Sequence, residues 1–161
     1  MKLAVLGYVG SGKSYVADFI SEKNNIPCLH LDNIKYDKEW NAIDDALLLP
    51  TVEEFMAKDE WIIDGFFASL KMDERLKKAD KIVILLLPRL LCFYRVLKRR
   101  KKRLQDGYKT DLNPWFIKFA LFKCRNKRRR DIYANIAKTY ENKTLILKSR
   151  REVNEFLNSI Q

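Results

Sequence analysis

Gly7-Tyr-Val-Gly-Ser-Gly-Lys-Ser14 is the stretch that decides the fold. It satisfies the pattern Gly-x4-Gly-Lys-Ser and stands between an apolar run, Lys2–Leu6, and a stretch from Ser14 to Lys23 with helical spacing of Val16, Phe19 and Ile20. Glycines let a backbone wrap closely around phosphate oxygens and adopt dihedrals barred to other residues. The amides of Gly10 to Ser14 would point into such a loop, backed by the positive end of the helix that follows. The candidate nucleotide-binding residues are therefore Gly7, Val9, Gly10, Ser11, Gly12, Lys13, Ser14 and Tyr15. Lys13 would reach the β- and γ-phosphates of ATP, and the Ser14 hydroxyl would hold Mg²⁺. The plain alternative is a glycine turn with an incidental lysine, and the flanking strand and helix argue against it.

Working outward, apolar runs alternate with helical patterns, which predicts βαβ units and a mostly parallel sheet. Pro27–Leu31, Trp61–Asp64, Ala79–Leu87 and Thr144–Leu147 follow Lys2–Leu6 as strand candidates. Thr51 with Glu54 three residues on predicts a helix start. Leu90 to Arg103, Trp115 to Tyr140 and Arg150–Ile160 have helical patterns, and Gln105–Asn113 reads as a polar excursion. No repeat, low-complexity segment or linker divides the chain, so a single domain over 1–161 is expected.

Two carboxylates fall at predicted strand tips. Asp64, closing Trp61-Ile-Ile-Asp64-Gly65, suits a Mg²⁺ site beside the cradle, or a cap or turn. Asp32 follows Leu29-His-Leu31 and is a candidate base or hydrogen-bonding partner for an acceptor hydroxyl, or an N-cap for a helix near Ile34. His30, within the strand, reads as structural. Trp40, Phe66 and Phe67 are candidates for an acceptor pocket, although core packing is the simpler assignment.

Composition restricts the class further. Of 161 residues, 47% are hydrophobic and 33% charged, as in a folded soluble protein. The most apolar stretch, Ile82 to Leu87, is too short for a membrane span, and the start lacks a signal-peptide core. Three scattered cysteines, Cys28, Cys92 and Cys124, suggest neither a disulfide framework nor a zinc site, and fit a reduced cytoplasmic setting. The net charge of +11 divides into −7 over 1–74, which has no arginine, and +18 over 75–161. Two runs, Arg95–Arg103 and Lys123–Arg130, carry much of the excess and would bind nucleic acid, grip phosphates or form a solvated helix face.

Further marks occur in order: Arg75 with Ala79-Asp80, Leu87-Pro88-Arg89, Cys92-x2-Arg95-Val-Leu-Lys-Arg99, and Leu147-x-Ser149-Arg-x-Glu-Val-x2-Phe156-Leu157. With Gly7–Ser14, Leu31-Asp32 and Trp61–Gly65, the ensemble resembles the bacterial topology-modulation-protein (FlaR-like) family, a branch of the adenylate-kinase-like P-loop kinases. The resemblance implies a three-layer α/β P-loop NTPase fold. Its five-stranded parallel sheet would run in order 2-3-1-4-5, with helices on both faces and a helical lid over about 99–130. It also implies ATP as donor, Mg²⁺, and an acceptor-binding segment at about 33–60. Arg95 and Arg99 lie where the lid's leading arginines stand, and Arg128, Arg129 and Arg130 where the returning helix supplies its own. The catalytic candidates are thus Lys13, Asp32, Arg95, Arg99 and Arg128, with Ser14 and Asp64 for the metal.

Two departures bear on the acceptor. Nucleoside monophosphate kinases carry an arginine three residues after the Asp-Gly, where this chain has Ala68, and another in the acceptor segment, where it has none. Lys35, Lys71 or Arg75 would have to compensate, which argues against ordinary adenylate kinase activity. The expected function is γ-phosphate transfer from ATP to a small acceptor, a nucleotide or nucleoside among the candidates. The alternative is a DNA-binding, topology-modulating protein with a regulatory nucleotide site. A switch GTPase is disfavoured because neither Asn126-Lys nor Asn142-Lys is followed by the aspartate of a guanine reader.

Overall fold

The computed structural model describes residues 1–37, 39, 41–105 and 113–160, with the side chains of 102–104 excepted. Five parallel strands form one sheet: β1 (Lys2–Gly7), β2 (Cys28–His30), β3 (Trp61–Asp64), β4 (Lys81–Leu85) and β5 (Thr144–Leu147). Their order is β2-β3-β1-β4-β5, as the resemblance implies. Between them run α1 (Lys13–Asn24), α2 (Leu31–Lys35), α3 (Asp45–Ala57), α4 (Met72–Lys78), α5 (Arg89–Gln105), α6 (Pro114–Leu121) and α7 (Lys127–Thr139), with α8 (Arg150–Ser159) last.

Strand side chains alternate between the sheet's two faces, so each central strand feeds two cores. Leu3 and Val5 of β1, with Val83 and Leu85 of β4, pack against Val16, Ala17 and Ile20 of α1 and Val153, Phe156 and Leu157 of α8. Ala4, Leu6, Ile82 and Ile84 face the other way, onto Val52 and Met56 of α3, Leu76 of α4 and Tyr133 and Ile136 of α7. The result is three layers, with the central strands buried on both sides.

Three local expectations are corrected. The helix expected from Thr51 starts at Asp45, with Asp44 accepting from the Ala46 amide at 2.9 Å, and runs through Pro50. Leu48, Val52 and Met56 form one buried stripe across the proline, and their burial outweighs the hydrogen bond it removes. The continuous pattern from Trp115 to Tyr140 is broken by a 3-10 turn at 123–125 and by Asn126, whose side chain accepts from the Arg129 amide at 2.8 Å and starts α7. Asp32 does not cap: it lies in the first turn of α2, after His30. The heart of the excursion at 105–113 lies outside the described residues, as does Trp40.

Candidate active site

The loop between β1 and α1 is shaped by its glycines. Gly10 and Gly12 have φ of 73° and 94°, a left-handed backbone that costs a side-chain-bearing residue about 1–2 kcal/mol. A Cβ on Gly10 would also run into the Cys92 carbonyl and lie 2.8 Å from Val96 Cγ2, so the loop sits directly on α5. Gly12 is the residue before α1, whose first amides face the loop. Lys13 curls over that loop, donating to the Tyr8 carbonyl at 3.3 Å.

Beside it, the Ser14 hydroxyl donates to Asp64 Oδ2 at 2.7 Å. Asp64 is 2% exposed, and its Oδ1 is buried with no hydrogen-bond partner among the described residues. A buried carboxylate oxygen without a donor suits a cation or a cation-bound water, so Ser14 and Asp64 fit a Mg²⁺ site. The Ser11 hydroxyl is likewise buried and unpartnered there.

His30 is not simply a core residue. Its Nδ1 lies 3.1 Å from Asp64 Oδ2 and its Nε2 2.8 Å from Asp18 Oδ1. The hydrogen bond to Asp64, then that to Cys28, holds the imidazole well above its ordinary range against the opposing effect of burial. The sequence signal was present: Cys28 and His30 share a strand face, and Asp18 is one helical turn beyond Ser14.

A cleft opens beside the loop. Lys13, Asp32, Phe66, Phe67, Arg129 and Tyr133 are among its lining residues. Asp32 is exposed there. Phe66 packs edge-on against Tyr133, with ring centroids 5.4 Å apart, and the Arg129 guanidinium lies 3.6 Å over the Phe66 ring. Burial pushes the Tyr133 phenol up, so it stays neutral. Phe66 and Phe67 are thus half-buried cleft walls that also pack against the core.

The basic residues separate by position. Arg95 reaches the cradle, its Nη1 donating to the Ser11 carbonyl at 2.8 Å. Arg125 donates to the Leu87 carbonyl at 2.9 Å and lies 4.1 Å over the Tyr8 ring. Arg99, Arg128 and Arg130 are exposed, and so is Tyr15. Arg129 rather than Arg128 lines the cleft, and helical spacing carries the signal: Arg129 stands four residues before Tyr133 and seven before Ile136, both buried.

None of the three residues expected to compensate for a missing clamp arginine lines the cleft. Arg75 is 1% exposed and donates to three carbonyls, from Nε to Leu70 at 2.9 Å, Nη1 to Gly65 at 3.2 Å and Nη2 to Phe67 at 2.8 Å. Lys35 pairs with Asp45 at 2.7 Å, and Lys71 with Glu74 at 2.9 Å and Glu53 at 3.0 Å.

The sheet order and the glycine loop between β1 and α1 give the chain the fold of the small P-loop kinases. Three of the many solved structures that share it serve as examples. They are a putative kinase from Chloroflexus aurantiacus (TM-score 0.59, 14% identity, covering 97% of this chain and 94% of that one), a shikimate kinase from Aquifex aeolicus (0.51, 17%, 99% and 96%) and a gluconokinase from Sinorhizobium meliloti (0.51, 17%, 99% and 88%). No protein-family model and no curated protein matches the sequence.

Proposed function

We propose that the protein is an ATP- and Mg²⁺-dependent phosphotransferase acting on a small hydroxyl-bearing acceptor. The observation that carries this reading is the Ser14–Asp64 pair, with Asp64 Oδ1 unpartnered among the described residues, beside a glycine loop and a cleft lined by Lys13 and Asp32. Loop amides and Lys13 would hold the β- and γ-phosphates. Asp32 would take the proton of an acceptor hydroxyl as its oxygen attacks the γ-phosphorus, and the bond to the ADP oxygen breaks with its electron pair leaving on ADP. Arg95 and Arg129 would neutralise charge on the transferring group. Ser14 and Asp64 would hold Mg²⁺, which would supply neutralisation of the phosphate charge.

With Arg75 spent on backbone carbonyls and Lys35 and Lys71 outside the cleft lining, the cleft favours an unphosphorylated acceptor with an apolar or ring body against Phe66 and Phe67, a nucleoside for example, over a monophosphate. The sequence motifs of the topology-modulation branch agree with this reading. Two of the proteins that share the fold are a shikimate kinase and a gluconokinase, which supports a kinase reading. The test is calorimetric titration of ATP with and without Mg²⁺, followed by ADP release with a panel of acceptors. Lys13→Ala should abolish both binding and turnover, and turnover within about threefold of wild type would contradict the cradle.

A second reading, binding of nucleic acid, draws on the basic surface of α5 to α7. There Trp115 and Phe122 are 59% and 55% exposed, with Lys123 and Arg89 stacked on their rings. Duplex binding that weakens steeply with salt, in protein that takes up no ATP, would favour it. No helix among the described residues is long and apolar enough to cross a membrane.

A further inference from the structure

Outside the cleft lining, three side chains of different chemistry converge: Asp18, Cys28 and His30. Cys28 and His30 are two apart on β2, so the pleat turns both to the same face. Ser14 and Asp18 are four apart on α1 and share a helix stripe. Ser14 meets Asp64, Asp18 meets His30, and His30 meets Asp64, which closes a chain of contacts between the two groups.

We propose that Asp18, Cys28 and His30 form a binding site for a borderline-soft divalent cation of the Zn²⁺ class, separate from the Mg²⁺ site and joined to it through His30. One ligand atom from each residue lies within 4.8 Å of the others. A tetrahedral zinc ion with bonds of about 2.0–2.3 Å holds its ligand atoms about 3.3–3.7 Å apart. The separation of His30 Nε2 and Cys28 Sγ, 3.6 Å, already matches. Nε2 and Asp18 Oδ1, now 2.8 Å apart, would have to open slightly, which a side chain 52% exposed can do by rotation. Solvent reaches the cluster past Asp18, so water would complete the coordination.

The orientation of His30 is the second, independent observation. Its Nδ1 is occupied by the buried Asp64 carboxylate at 3.1 Å, which leaves Nε2 facing Cys28 and Asp18. A carboxylate behind an imidazole, with the opposite nitrogen aimed at a ligand cluster, is how proteins hold metal-binding histidines. Thiolate, imidazole and carboxylate together select zinc, cobalt or cadmium over the hard Mg²⁺ ion. Coordination displaces the thiol proton of Cys28 and the Nε2 proton of His30. The metal would then stand where Asp18 now receives His30, and would fix the imidazole that touches Asp64. The site rests on this cluster alone and stands whether or not the proposed phosphoryl transfer is correct.

The experiment is titration of Co²⁺ into the full chain, reduced and free of chelator, followed by absorption. One equivalent should give the visible bands of a tetrahedral ion and a near-ultraviolet sulfur-to-cobalt band. Cys28→Ser should abolish the sulfur band, and His30→Gln and Asp18→Asn should each weaken cobalt binding at least about tenfold. Lys13→Ala should bind cobalt as wild type does. Thermal unfolding supplies a second readout: Zn²⁺ should raise the midpoint of wild type and not that of Cys28→Ser, each checked for a native circular dichroism spectrum. Absent bands, bands that persist in Cys28→Ser, or an equal thermal response of the two proteins would each overturn the site.

Discussion

Replacing Arg75 by lysine tests how the segment after β3 is held. Arg75 rises from α4 into the interior and spans residues 65–70 with three hydrogen bonds, to the carbonyls of Gly65, Phe67 and Leu70. Burial lowers its pKa to about 10, with Asp64 partly opposing, so at neutral pH the guanidinium is charged and matched only by carbonyl dipoles and that nearby carboxylate. A lysine keeps the charge but is a compact ammonium on a different stem, and cannot reproduce the planar fork. It would satisfy one of the carbonyls, and Phe67 keeps the Leu70 amide at 3.3 Å, so one carbonyl is left buried without a donor. An orphaned buried group costs about 1–3 kcal/mol, so Arg75→Lys should lose about 2 kcal/mol. That is a large share of the roughly 5–15 kcal/mol that holds a domain together. With a urea slope of about 2 kcal/mol per molar, the midpoint should fall by about 1 M in equilibrium unfolding followed by far-ultraviolet circular dichroism. The same segment carries Phe66 and Phe67, so ligand binding in the cleft should weaken before the protein unfolds. A loss below about 0.5 kcal/mol at unchanged slope would show that the three bonds are not what fastens this segment.

Gly10→Ala should be destabilised by about 2–4 kcal/mol, combining the left-handed backbone penalty with the push against α5, and should lose ATP affinity; unchanged urea and ATP titrations would refute the close packing of loop and helix. Asp64→Asn keeps the shape of the side chain but removes its charge, so the Mg²⁺ concentration for half-maximal activity should rise about tenfold, and an unchanged Mg²⁺ titration would take the residue out of the site. Arg95→Ala should lower turnover by about 10³-fold with little change in ATP affinity, and an unaltered rate would leave Arg95 as a tether between α5 and the Ser11 carbonyl.

The parts of the fold legible in the sequence are those set by local rules. Gly10 and Gly12 announce the loop because few other residues tolerate their dihedrals, and the apolar runs announce β1, β3 and β4 because strands buried on both faces read as continuous hydrophobic stretches. Where tertiary packing competes with local signals, the local signal misleads. Thr51 and Glu54 look like a capping box, yet both are exposed interior residues of α3, whose start is fixed by Asp44 and by a buried stripe that ignores Pro50. Arg75 was unreadable for a different reason. Its partners lie five, eight and ten residues back in an irregular segment, and no periodicity encodes such a contact. Arg128, Arg129 and Arg130 are alike in composition and separated only by the turn of a helix. Choosing among them requires knowing which face of α7 is buried, which Tyr133 and Ile136 reveal.

The strongly basic second half of the chain takes on meaning from the few cations that reach the loop and cleft. Arg95 is parked on a backbone carbonyl and Arg129 on an aromatic ring, both neutral partners. Among the described residues, neither is locked in an ion pair that an incoming phosphate would have to break. Exchanging a carbonyl or a ring for a phosphate oxygen replaces a weaker partner with a charged one, and charge-assisted hydrogen bonds are roughly twice as strong as neutral ones. The acids of residues 1–74 have the opposite disposition: Asp64 is tied to Ser14 and His30, and Asp45 to Lys35, while Asp32 stands exposed at the cleft. On the proposed reaction, therefore, the side chains that must meet phosphate are the ones held by replaceable partners. The groups that must stay in place are the ones cross-linked by ion pairs and by the Arg75 fork.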